Sequence, residues 1–130
     1  MRQLLNLSKG TQVFLGRPKK PMDSSRSDAL AGVVSSVDAI LEAHIPQCFI
    51  PNVTLPEGEQ VLIFVVRQNA DPSKALNELG DRIKEKMPPG YDVLAIPMTP
   101  NDSLLQTVRQ TSCSIFSRSS SESKWWAFWK

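Results

Sequence analysis

Val61-Leu62-Ile63-Phe64-Val65-Val66 is the longest apolar run in the chain, and its reading decides the fold. Successive side chains of a strand point to opposite faces. Six apolar residues in a row therefore place hydrophobic groups on both sides. Such a strand has to be covered on both faces and belongs at the centre of a sheet. The run is far shorter than the roughly 20 residues that a membrane span requires.

Beyond it, Asp71-Pro72 is a helix start, with aspartate as cap and proline in the first turn. Leu76, Leu79, Ile83 and Met87 then form an apolar stripe at helical spacing. Glu78 and Arg82 form an i, i+4 pair on the outer side. Pro88-Pro89-Gly90 stops the helix. Tyr91 to Met98 reads as a strand, with Pro97 placing its end at or near a sheet edge. The segments 61–66, 72–87 and 91–98 thus predict a right-handed βαβ unit. Thr99-Pro100-Asn101-Asp102 resembles a further capped helix start, and Leu104, Leu105 and Val108 give that helix a face. Cys113 to Phe116 reads as a last short strand.

In the other direction, residues 46–60 carry Pro46, Pro51, Pro56 and Gly58 and read as a loop. Before it the pattern has period two. Val37, Ala39, Leu41, Ala43 and Ile45 share one face, and Asp38, Ile40, Glu42 and His44 the other. This predicts a half-buried strand, antiparallel to 61–66. Leu30, Val33, Val34 and Val37 mark a helix face with Ser27 as N-cap, weakened by Gly32 at a cost of about 1 kcal/mol. Thr11 to Gly16 reads as a short strand, and Arg17 to Pro21 as a proline-bearing loop. The expected fold is α/β (α+β): a single domain over residues 1–118, with a mixed five-stranded sheet and about three helices. Residues 119–130 form a Ser-rich linker and an aromatic tail.

A chain of 130 residues is long enough to bury a real core. Its net charge of +2 does not fit a generic polyanion binder. The charge is uneven: Arg2, Lys9, Arg17, Lys19, Lys20 and Arg26 face a single acid, Asp23, within the first 26 residues. Such a patch is a solvated loop or a surface that steers an anionic partner. The opening residues are too poor in apolar groups for a signal peptide. With two widely spaced cysteines the chain is expected to be cytoplasmic, with reduced thiols.

The stretch Gly10-Thr11-Gln12-Val13-Phe14-Leu15-Gly16-Arg17-Pro18 resembles the opening of the C-terminal domain of the SseB-like, enhanced serine sensitivity, proteins. The order that follows is similar too: a helix, then Val37 to Ala43, the apolar strand 61–66, Tyr91 to Ile96, and Cys113 to Arg118. The resemblance spans residues 10–118. This chain has Ser114-Ile115-Phe116 where the family has proline followed by two aromatics. The family's name implies a serine-related phenotype, and the resemblance carries over no catalytic residue.

Few side chains suggest chemistry. His44, the lone histidine, sits two residues from Glu42 on the polar face of its strand, as an acid/base couple would or as a surface or structural residue does. Cys48 and Cys113 would need a base or a helix N-terminus beside them to act as nucleophiles, and otherwise are inert thiols. One histidine and two distant cysteines do not make a metal ligand set, and no glycine pair has phosphate-loop spacing. No catalytic residue, metal or cofactor is expected. Arg17 to Pro21 also fits the spacing of a proline-rich ligand.

The strongest functional signal is the stretch Lys124-Trp125-Trp126-Ala127-Phe128-Trp129-Lys130, which holds all three tryptophans of the chain. Each ring buries roughly 150–250 Å² when it packs. Trp125, Trp126, Phe128 and Trp129 would supply apolar contact, and Lys124 and Lys130 would set orientation. Their expected role is docking into a protein partner or self-association. The alternatives are packing on the chain's own domain and weak membrane-surface contact. Nucleic-acid stacking is disfavoured, because no basic groove accompanies the rings. The function read from the sequence is a non-enzymatic protein-interaction module. The alternatives are an enzyme or small-molecule binder of serine metabolism, working through His44, Glu42 and a cysteine, and a peripheral membrane-surface protein.

Overall fold

The computed structural model describes residues 2–3, 12–20 and 22–118. In chain order its elements are β1 (Arg2–Gln3), β2 (Phe14–Gly16), α1 (Ser24–Ser35), β3 (Ile40–His44), β4 (Gln47–Phe49), β5 (Glu59–Gln60), β6 (Leu62–Val66), α2 (Pro72–Lys86), β7 (Leu94–Met98), α3 (Leu105–Gln110) and β8 (Ser114–Ser117). The α/β class and the three helices agree with the sequence reading. The single five-stranded sheet does not.

The main sheet has the order β1-β7-β6-β3-β8, and a second sheet has the order β2-β4-β5. Four of the five expected strands share the main sheet. The strand read at 11–16 instead pairs with β4, Phe14 opposite Phe49 and Leu15 opposite Cys48. β4 and β5 lie in a segment read as loop, because its prolines and turn residues outweigh two very short strands. Gly58 makes their return possible. It sits at φ +83°, and a Cβ there would lie 3.1 Å from the Cys48 carbonyl oxygen.

β6 is central and wholly buried. It pairs antiparallel with β3 and parallel with β7, as the βαβ reading requires. Its side chains divide by parity. Leu62, Phe64 and Val66 join the core under α1 and α2. Val61, Ile63 and Val65 join a second core with Cys48, Ile50, Leu105 and Val108. One face of the sheet thus carries the long helices, and the other carries the small sheet and α3.

α2 follows its sequence signals closely. The Asp71 carboxylate accepts the Ser73 N–H at 2.9 Å, Pro72 opens the helix, and Ala75, Leu76, Leu79 and Ile83 face the core. Lys84 and Lys86 lie in the last turn, where the helix dipole favours cations. Glu78 and Arg82 pair as expected. α1 begins three residues before the predicted cap. Asp23 is the flanking residue, and Ser27 lies inside the first turn, its hydroxyl donating to the Ser24 carbonyl. Val37 lies past the helix end but is buried all the same. Pro97 stands opposite Phe64 in the β6–β7 pairing, past Leu94 and Ala95, the β7 residues registered with β1. At the far edge, Arg118 ties β8 to the end of α1. Its guanidinium donates to the Ile40 and Ser35 carbonyls at 3.1 and 2.9 Å and stacks over Phe116. No helix among the described residues is long and apolar enough to cross a membrane.

Candidate functional site

Glu42 and His44 lie two residues apart on β3 and point to the same face, as the alternation of a strand requires. The polar face was open to a surface or a structural reading, and it is buried: Glu42 is 7% exposed and His44 4%. α3 packs on this side of the sheet and lays Arg109 against Glu42.

The guanidinium of Arg109 grips Glu42 with two nitrogens. Nε donates to Oε2 at 3.0 Å and Nη2 to Oε1 at 2.5 Å. This fork geometry is the strong form of a carboxylate–arginine contact. It holds the Glu42 carboxyl below its ordinary range, with the His44 hydrogen bond adding to the effect against the opposing pull of burial. The same contact raises the Arg109 pKa. His44 Nε2 lies 2.6 Å from Glu42 Oε2. An ionised carboxylate can only accept, so Nε2 carries the proton in this bond. The other ring nitrogen, Nδ1, is buried without a hydrogen-bond partner among the described residues.

The chemistry open to this arrangement is narrow. A general base needs a free lone pair within reach of a substrate proton. Glu42 spends both oxygens on Arg109 and His44, and His44 is sealed from solvent on its free side. The couple the sequence suggested is therefore real as a contact, and its geometry is that of a clasp joining β3 to α3. Arg109 escaped the sequence reading. It lies 67 residues from Glu42, in a helix of six residues with no strong periodicity. The available signal was indirect: Glu42 and His44 sit in a strand whose neighbours are all apolar, and a carboxylate in such a place needs a cation.

The two thiols differ in their access to solvent. Cys48 faces the second core with 0% exposure, and burial pushes its pKa up to about 12. Cys113 is partly exposed in the turn between α3 and β8, and its thiol donates to the Thr111 carbonyl at 3.3 Å. The backbone turns sharply there, Ser112 standing at φ +58°. Neither cysteine is paired in a disulfide. No group of three or more histidine, cysteine or acidic side chains placed to hold a metal occurs among the described residues.

No family model, curated protein or solved structure matches this chain. Lys124, Trp125, Trp126, Phe128, Trp129 and Lys130, the residues expected to bind a partner, lie outside the described residues.

Proposed function

We propose that this chain is a non-enzymatic interaction module, in which the α/β domain is the scaffold and the segment 124–130 docks a protein partner. The observation that carries this reading is the segregation of its chemistry. The side chains suited to catalysis in the described domain, Glu42, His44 and Cys48, are consumed by the scaffold's own packing. The side chains most suited to recognition, three tryptophans and Phe128, stand together beyond a Ser-rich stretch. Tryptophan is the residue most enriched where a few contacts dominate binding energy. A kinship with the SseB-like C-terminal domain belongs to the same proposal. It rests on the order of elements across residues 10–118 and places no catalytic demand on the domain.

Tryptophan emission tests the reading directly, because every tryptophan lies in the segment. The expected spectrum of the isolated protein is red and fully quenchable, turning blue when a purified partner is added. Deleting residues 119–130 should leave the circular dichroism of the domain unchanged and abolish that partner's binding. A blue, quencher-resistant emission from the protein alone would sink the proposal, since the rings would already be packed. So would a truncated chain that still binds.

A further inference from the structure

We propose that Met22 is a site of reversible oxidation, converted by hydrogen peroxide to a sulfoxide whose handedness is set by Tyr91. The described residues hold three methionines. Met87 and Met98 are each 4% exposed and sit inside the two cores. Met22 is only partly buried and lines two surface cavities of about 460 and 480 Å³. An oxidant reaches accessible thioethers first. Tyr91 meets this one from the turn after α2, its hydroxyl donating to the Met22 sulfur at 3.8 Å. Burial pushes the Tyr91 pKa up, so the hydroxyl keeps the proton that it donates.

A thioether sulfur carries two lone pairs, and they cease to be equivalent once one of them accepts a hydrogen bond. Tyr91 occupies one, which leaves the other for the oxidant. That lone pair attacks one oxygen of hydrogen peroxide. An S–O bond forms as the O–O bond breaks, and the second oxygen takes up the proton of the first and leaves as water. The sulfur gives up two electrons and the peroxide gains them. Attack at a single lone pair yields a single epimer of the sulfoxide, and each methionine sulfoxide reductase accepts one epimer. The product no longer suits its surroundings. Met22 and Tyr91 both pack against the helix-side core, and Met22 directly precedes Asp23, the residue that flanks α1. Oxidation turns this apolar anchor polar, so the entry of the chain into α1 follows the redox state. The site uses neither the aromatic segment nor the Glu42 clasp.

The test treats the full chain, ¹⁵N-labelled, with dilute hydrogen peroxide and follows each methionine by peptide mass spectrometry. Met22 should oxidise about tenfold faster than Met87 and Met98, as its access implies. One of the two stereospecific methionine sulfoxide reductases should then restore nearly all of it, and the other almost none. In Tyr91→Phe, which deletes only the hydroxyl, each reductase should restore a substantial share. Amide signals of the oxidised chain should move around Met22 to Ser27 and Tyr91 to Val93, return on reduction, and stay still in peroxide-treated Met22→Leu. Equal oxidation of the three methionines overturns the proposal. So does a mixed sulfoxide in the wild type, or a single epimer retained in Tyr91→Phe. Amide shifts confined to Met22 itself would remove the effect on α1 and overturn the proposal as a redox-sensitive anchor. Should Tyr91→Phe fail to fold, the wild-type rates and epimer content decide by themselves.

Discussion

The two faces of the main sheet are built on opposite principles. Under α1 and α2 the core is continuous and apolar, from Leu30 and Val34 through Phe64 to Leu79 and Ile83. Under α3 and the small sheet the apolar core is smaller, and the Glu42, His44 and Arg109 cluster lies on that side. The first face is held by area removed from water, a term that is non-directional and tolerant of detail. The second depends in part on one charged contact whose value lies in its geometry. The difference teaches where this fold is robust and where it is specific.

The most severe way to test the comparison is to empty the helix face. Phe64 is fully buried, and Phe64→Ala should cost about 3–5 kcal/mol by urea denaturation. That is a large share of the roughly 5–15 kcal/mol that holds a typical domain folded. A smaller loss than that of any α3 variant would break the comparison.

Next in size is the clasp. Arg109→Leu leaves Glu42 buried with His44 as its remaining side-chain partner, and should cost about 2–3 kcal/mol. Arg82→Leu removes a half-exposed pair with Glu78 and should cost no more than about 1 kcal/mol. If the two variants were equally mild, the Arg109 contact would be a surface pair like any other.

The clasp also has a pH signature. The folded pKa of Glu42 lies below its ordinary value of 4.5, chiefly through the Arg109 hydrogen bond. Its contribution to stability is therefore complete above that ordinary value. It is lost as pH falls through the lowered one. Stability curves of the wild type and Glu42→Gln should differ at neutral pH and converge under acid. A difference that stays constant from neutral to acid pH would remove the charge from the explanation.

The mildest probe changes no residue. A thiol reagent should modify Cys113 in the native protein and reach Cys48 only after unfolding, since Cys48 lies inside the second core. Rapid native labelling of both would mean that the small sheet opens far more readily than its packing implies.

Much of the architecture was legible in residue order because it rests on local or periodic signals. The parity of Val61 to Val66 was enough to require a two-sided core. The Asp71-Pro72 start and the Leu76, Leu79, Ile83 stripe were enough to place α2, and the break at Pro88-Pro89-Gly90 to end it. Each of these depends on neighbours within one turn or one strand. What tertiary structure alone decided is the second face. Strands of two and three residues carry too few side chains for a period to register, so β4 and β5 were hidden in a proline-rich stretch and β2 was assigned to the wrong sheet. The choice between a surface and a structural role for Glu42 and His44 stayed open for a related reason. Alternation tells which residues share a face. Whether that face meets water depends on what crosses it, and here a distant arginine crosses it.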